Sequence, residues 1–218
     1  MQKTYAEEVA RNAETLAGRI AALPETGARR RLAAIAGAPA SGKSTLAEEV
    51  VARLVAAGVN AVLMPMDGFH LDNRLLEPMG LLPRKGAPET FDFGGFRATL
   101  ARVQTEAQVF LPVFDRSREI AIAGAGEISA ETTHVVVEGN YLLFDEDPWR
   151  ELAPMWDFSA FLEVDEAELE SRLLRRWNRF GYPPEEVRAK AFGNDIPNAR
   201  RVAGAVVAPD MLLRQQKR

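Results

Sequence analysis

Nine consecutive residues, Gly37-Ala38-Pro39-Ala40-Ser41-Gly42-Lys43-Ser44-Thr45, hold the strongest chemical signal in this sequence. They fit the spacing G-x-x-x-x-G-K-[ST], in which glycines let successive main-chain N–H groups turn inward around phosphate oxygens. A helix that starts at the same point adds its positive dipole end. In such a loop Lys43 reaches the β- and γ-phosphates of ATP, and the Ser44 hydroxyl ligates Mg²⁺. Two carboxylates end apolar runs elsewhere: Asp67 after Ala61-Val62-Leu63-Met64-Pro65-Met66, and Glu138 after Val135-Val136-Val137. Asp67 can accept a proton from a substrate hydroxyl or help hold Mg²⁺, although Asp-Gly is also a common turn pair. Glu138 stands where a strand-end carboxylate holds magnesium, often through water; the plain alternative is a strand-to-turn exit at Glu138-Gly139. Arg172, Arg175, Arg176 and Arg179 are spaced i, i+3, i+4 and i+7, which is one face of a helix. Arginines on a mobile helix close over phosphates, neutralise transition-state charge and exclude water; the bland alternative is a solvated basic face. The set implies phosphoryl transfer from MgATP to a hydroxyl on a small acceptor. Asp67, Lys43, Arg172 and Arg176 are its catalytic candidates, and Arg175 joins the loop as a nucleotide contact.

The elements that must position these groups follow from apolar periodicity. Residues 4–22 read as an amphipathic helix with a capping box at Thr4 and Glu7 and a stripe of Tyr5, Val9, Leu16 and Ile20. Leu32-Ala33-Ala34-Ile35-Ala36 is a buried strand running into the glycine loop. A helix over 44–57 follows, with Leu46, Val50, Leu54 and Val55 as its core stripe and Gly58 as its stop. The run 60–66 is a second strand, so the unit is βαβ with parallel pairing and a right-handed crossover. Residues 68–96 hold eight prolines and glycines and read as a long functional loop with short helical pieces. A helix over 95–107 and an edge-type strand over 109–114, demoted by Pro112, come next. Glu119 to Ile128 suggests a small hairpin around Gly124-Ala125-Gly126. Strands at 134–137 and 158–164 precede a helix capped by Asp165, running to about Phe180 and closed by Gly181 and Pro183. The expected fold is α/β, a three-layer P-loop NTPase with a parallel sheet, helices on both faces and a lid helix. We expect one domain over 1–218, with an N-terminal helix and linker at 1–28, a substrate-loop insertion at 68–96 and the lid at 165–182.

Composition excludes several classes. A net charge of −4 with no basic tail or stripe argues against nucleic acid as a partner. The absence of cysteine removes disulfides, zinc–thiolate sites and a thiol nucleophile together. No apolar run approaches the roughly 20 residues of a membrane span, and the N-terminus lacks a signal-peptide core, so the expectation is a cytoplasmic chain away from the membrane. Trp149, Trp156 and Trp177 read as packing residues, and the apolar stripe of the first helix is open to packing at home or to a homodimer.

In order along the chain these segments resemble the P-loop kinases that include uridine kinase, phosphoribulokinase and bacterial pantothenate kinase, over roughly residues 30–205. Met66-Asp67-Gly68-Phe69-His70 is similar to that group's Asp-[Gly/Ser]-Phe segment, which implies that Asp67 is the catalytic base. Lys85-Gly86-Ala87-Pro88-Glu89-Thr90-Phe91-Asp92 resembles the loop that touches the acceptor, and Leu111-Pro112-Val113-Phe114-Asp115 the Pro-Val-Tyr segment beside it. The resemblance thus implies an acceptor pocket with His70, Phe91, Asp92, Arg116 and Tyr141, although His70 may instead serve only as a hydrogen-bonding loop residue. Asp67-Gly68-Phe69-His70-Leu71-Asp72-Asn73 and Asn194-Asp195-Ile196-Pro197-Asn198-Ala199 look most like a bacterial branch described as fructose transport system kinases or nucleoside kinase-like proteins, a name that reflects gene context more than chemistry. Two departures bear on the acceptor. Uridine kinases carry a histidine after the Pro-Val-Tyr segment, whereas Arg116-Ser117-Arg118 stands here, and Phe114 lacks the tyrosine hydroxyl. Arginines there suit an anionic or polyhydroxyl acceptor.

Two rival readings remain at this stage. A regulatory or housekeeping NTPase without an acceptor would, as a GTPase, want an Asn-Lys-x-Asp guanine reader, which the chain lacks; Asp92-Phe93-Gly94-Gly95 fits Asp-x-x-Gly but follows no apolar strand. A binding protein with a vestigial nucleotide site is hard to reconcile with Lys43, Ser44, Asp67 and Glu138 together.

Overall fold

Helix and strand alternate along the chain as the apolar runs require. The computed structural model describes residues 2–179, 181 and 183–215, with side chains from residue 5 onward. Helix α1 (Gln2–Ala21) leads to β1 (Arg31–Gly37), α2 (Lys43–Ala56) and β2 (Ala61–Pro65). A 3₁₀ turn at Met66–Phe69, the one-turn α3 (Asn73–Leu76), two further 3₁₀ turns and α4 (Phe93–Thr105) follow. The chain then forms β3 (Val109–Asp115), β4 (Ile120–Ile128), β5 (His134–Gly139), β6 (Phe158–Glu163), α5 (Glu166–Arg179) and α6 (Pro184–Lys190). A π-helical turn at Ala191–Asp195 runs straight into α7 (Ile196–Gly204), and β7 (Met211–Arg214) ends the sequence of elements.

The main sheet has the order β2-β5-β1-β6-β7, with every pairing parallel. Its strands are near-continuous apolar runs because both faces are covered. Alternation divides the core: Leu32, Ala34 and Ala36 of β1 face α4 and the β3–β4 ribbon, whereas Ala33 and Ile35 face α1 and α2. The first helix therefore uses its stripe at home, with Ala13, Leu16, Ala17 and Ile20 buried against α2 and the sheet. That packing covers the apolar face that the sequence leaves open. Trp149, 2% exposed, packs against Phe93, Phe96 and Tyr141 on the other side of the sheet.

The structure corrects several expectations. The helix α1 begins at Gln2, so Thr4 lies inside it, and the side chain of the expected Thr4 cap is outside the described residues, as is Phe180. Val55 is 55% exposed, because the stripe of α2 rotates to Leu46, Ala47, Val50 and Leu54. The stretch 119–128 is not a hairpin of its own. It is β4, paired antiparallel with β3, and the reversal falls between Asp115 and Ile120. Gly124, at φ 65°, instead makes a bulge where the register jumps between Leu111 and Val113, beside Pro112. Helix α4 starts two residues early because Asp92 caps it: its Oδ1 accepts from the Gly95 N–H at 2.8 Å. The edge strand β7 and the helices after Pro183 have no counterpart among the sequence expectations. No described helix is long and apolar enough to cross a membrane.

Candidate active site

The register of the sheet brings the sequence candidates together. Glu138 of β5 pairs with Ile35 of β1 on one side and with Pro65 of β2 on the other. Two residues beyond Ile35 the glycine loop begins at Gly37, and two residues beyond Pro65 stands Asp67. Loop, Glu138 and Asp67 thus share the carboxyl end of three adjacent parallel strands, the edge where open α/β sheets bind ligands.

The glycine loop has the expected form. Ala40 and Gly42 take positive φ of 62° and 95°, and Gly42 hands the chain into α2 at Lys43. The Ser41 N–H turns back to the Ala38 carbonyl at 3.1 Å, and the Ser41 side chain is fully buried. The Ser44 hydroxyl donates to Glu138 Oε2 at 3.1 Å. Lys43 is half-buried, and burial lowers its pKa against the pull of Glu138 and Asp67. Glu138, 4% exposed, is pushed above its ordinary value by burial, with Lys43 pulling it down and Asp67 pushing it up. Burial also raises Asp67, but His70 when protonated, Arg116, Lys43 and Arg176 outweigh it, and the net pKa lies below the usual aspartate value. Asp67 is therefore ionised at neutral pH.

Asp67 sits in the 3₁₀ turn and is ion-paired to Arg116 from the β3–β4 turn. Gly68 is there because nothing larger fits: a Cβ at this position would lie 2.2 Å from the Pro112 carbonyl oxygen of β3. That contact is with backbone, so it is relieved only by moving the turn. Gly68→Ala should displace Asp67 and lower turnover by about a hundredfold while ATP affinity stays near wild type. Steady-state kinetics beside a nucleotide titration checks this.

His70 stacks between Phe91 (centroids 4.1 Å apart) and Phe114 (4.5 Å). Its Nδ1 lies 2.7 Å from the Asp67 carbonyl oxygen. A carbonyl only accepts, so Nδ1 carries the proton and Nε2 is the open acceptor of the neutral ring. Burial holds the His70 pKa below its usual value. The expected loop hydrogen bond and the position beside Asp67 are thus both present in one residue.

The four spaced arginines do not act as one face. Arg172 donates from Nη1 to the Ser41 carbonyl at 2.8 Å and from Nε to Glu168 at 2.8 Å, and its guanidinium lies over the Tyr5 ring. It docks α5 on the glycine loop. Arg176 is half-buried, with Arg116, Asp195, Asp67 and Glu119 as its charged neighbours, and burial lowers its pKa. Arg175 is 56% exposed and is held along its own helix by Ser171 and Glu168, and Arg179 is exposed.

Three of the expected acceptor contacts are placed elsewhere. Asp92 is exposed and occupied as the cap of α4. Phe91 is 6% exposed and serves as a wall for His70. Tyr141 is fully buried, packed on Phe91, Phe144 and Trp149, and its hydroxyl donates to the Gly86 carbonyl at 2.5 Å. Burial pushes that phenol far above its usual pKa. Tyr141 therefore clamps the 85–90 segment from beneath, and Tyr141→Phe should destabilise the protein by about 1–3 kcal/mol through the orphaned carbonyl. A lowered Tm with little change in KM is the expected signature; a KM shift at unchanged Tm would restore the acceptor role.

Sequence reasoning missed Lys85 and Asn194 as individual residues. Lys85 Nζ donates to Asn73 Oδ1 at 2.7 Å and to the Glu119 carbonyl at 2.8 Å. Asn194, 8% exposed in the π-helical turn, donates to the Lys85 carbonyl at 2.9 Å and accepts from Asn198 Nδ2 at 3.1 Å. The signal was available: both lie in segments that the family resemblance had already singled out.

Comparison with known proteins agrees with this geometry. A solved structure from Silicibacter sp. TM1040, provisionally called a fructose transport system kinase, is 48% identical, with a TM-score of 0.87 over 94% of this chain and 98% of its own. YFH7 from Saccharomyces cerevisiae, at 19% identity and a TM-score of 0.76 over 99% of both chains, shows the fold alone. Among curated proteins, YggC of Escherichia coli is 36% identical over 80% of this chain and 73% of its own length. A Schizosaccharomyces pombe protein provisionally named a uridine kinase is 29% identical over 86% and 84%. The sequence model of the Phosphoribulokinase / Uridine kinase family matches residues 32–202. That match spans the glycine loop, both strand-end carboxylates and the arginine helix, and the chain belongs to the Phosphoribulokinase / Uridine kinase family, as an ATP-using P-loop kinase that acts on a small molecule.

Proposed function

We propose that this kinase transfers the γ-phosphoryl group of ATP to a hydroxyl of a small metabolite, with Asp67 as the base and the loop Gly37–Thr45 as the donor site. The observation that carries the reading is the Ser44–Glu138 hydrogen bond of 3.1 Å at a strand end shared with Asp67. Ser44 and Glu138, with Asp67 behind them, offer only hard oxygen donors, which suits Mg²⁺ held by a hydroxyl, a carboxylate and nucleotide phosphates. When bound there, the ion would supply positive charge that offsets the charge of the phosphates.

The protein's own groups do the rest. Main-chain N–H groups of the loop and the start of α2 hold the phosphates. Lys43 and Arg176 face the space between loop and Asp67 and bear the charge that develops there. Arg172 seats α5 on the loop, while Arg175 lies at the outer rim. Asp67, ionised at neutral pH, orients the acceptor hydroxyl and takes its proton. His70, wedged between two phenyl rings, fixes the main chain of Asp67. The acceptor lies on the side of Asp67 bordered by His70, Phe114 and Arg116. A free sugar, a nucleoside and a pantothenate-like acid all present a suitable hydroxyl, matching the names carried by relatives. ADP release measured against a panel of hydroxyl-bearing metabolites tests the reading. One or more acceptors should raise ADP release well above the rate with water alone; a basal rate that no acceptor raises would favour an NTPase instead.

A further inference from the structure

The base does not wait unpaired. Arg116 closes on Asp67 from the β3–β4 turn, and its guanidinium lies 5.9 Å from the centre of the Phe114 ring. A second cation borders the same ring: Lys85 Nζ is 5.3 Å from its centre. The Lys85 side chain is only 13% exposed, and its ammonium is fixed by two neutral oxygens, Asn73 Oδ1 and the Glu119 carbonyl. Glu119 Oε2 forms a long ion pair with it at 3.9 Å, beyond hydrogen-bond range. The main chain beneath this lysine is held from two sides, by Asn194 at the Lys85 carbonyl and by Tyr141 at the Gly86 carbonyl. Arg176 of α5 has Arg116 and Asp67 among its charged neighbours, together with Asp195 and Glu119.

A hydroxyl that reaches Asp67 must displace Arg116. A neutral acceptor would replace a charge-assisted pair with one hydrogen bond and leave the guanidinium without its counter-charge, next to Lys85 and Arg176. An acceptor with an anion beside its hydroxyl makes an exchange: the hydroxyl takes Asp67 and the anion takes Arg116. We propose that the acceptor carries a carboxylate or phosphate close to the hydroxyl that is phosphorylated, held by Arg116 with Lys85 as the second cation. This rests on the reading of Asp67 as the base, and it disfavours an uncharged sugar or nucleoside as the physiological acceptor.

The test separates the two readings by using binding in place of turnover. The protein is saturated with magnesium and a non-hydrolysable ATP analogue, then titrated calorimetrically with matched pairs. Glycerate against glycerol and pantothenate against panthenol form the carboxylate arm; fructose 6-phosphate against fructose and ribulose 5-phosphate against ribulose form the phosphate arm. In at least one arm the anionic member should bind about tenfold to a hundredfold more tightly than its neutral twin. Arg116→Gln should erase that preference, and Arg116→Lys should keep part of it. Equal binding of the twins, no binding in either arm, or a preference that survives Arg116→Gln would overturn the proposal. An anion preference without acceptor-stimulated ADP release would uphold the anion site and count against Asp67 as the base.

Discussion

Replacing Lys43 with alanine should lower acceptor-dependent turnover on the order of a thousandfold and weaken ATP binding as well. The side chain leaves the first residue of α2, where the main chain has just turned through Gly42. It then runs into a half-buried space shared with Glu138, Asp67, Arg116 and Arg176. Burial disfavours its charge, and Glu138 and Asp67 partly oppose that effect, so the side chain is held beside the carboxylates rather than dispersed in water. The neighbouring cations have other partners: Arg172 is committed to the Ser41 carbonyl and Glu168, and Arg116 is paired with Asp67. Initial-rate kinetics over a range of ATP concentrations should show kcat and kcat/KM both reduced. Near-normal values for both would remove the loop from the donor role.

The second large effect is confined to the chemical step. Asp67→Asn keeps the shape of the side chain and the 3₁₀ turn, because the Gly68–Pro112 contact and the His70 hydrogen bond involve main chain. It removes the negative charge, and with it the ion pair to Arg116 and the ability to accept the acceptor's proton. Turnover should fall on the order of a hundredfold or more, with the KM for ATP little changed. Because the pKa of Asp67 is lowered below that of a free aspartate by the surrounding cations, the wild-type carboxylate stays ionised as pH falls through the range where an ordinary aspartate protonates. The loss in Asp67→Asn should therefore be the same size at pH 6 and pH 8, and a deficit that vanishes at one of them would argue for another base.

The donor side of this site was legible in the sequence because its signals are local. The glycine loop, the apolar strand before it and the helix after it occupy one continuous stretch, and the turn at Gly42 needs a residue that tolerates positive φ. Glu138 and Asp67 were legible as strand ends, and the parallel order of β2, β5 and β1 then brings them together. The acceptor side was legible only as segments. Tyr141 reads as a polar aromatic just past a strand, but its burial depends on Phe91, Phe144 and Trp149 from distant parts of the chain. Asp92 looked like a pocket carboxylate, yet the glycines after it make it a helix cap. The arginine helix showed its spacing but not its rotation about its own axis, which alone decides that Arg172 and Arg176 turn inward and Arg175 outward. Gly124-Ala125-Gly126 has turn chemistry and was expected to reverse the chain; the long-range pairing with β3 converts it into a bulge.

Calorimetric titration of ATP with magnesium into wild-type, Lys43→Ala and Asp67→Asn proteins tests the division of labour most directly. The wild-type and Asp67→Asn proteins should take up one nucleotide with closely similar affinity, and Lys43→Ala should bind far more weakly. Undiminished binding by Lys43→Ala, or loss of binding in Asp67→Asn, would contradict a donor cradle at Gly37–Thr45 working beside a separate proton acceptor.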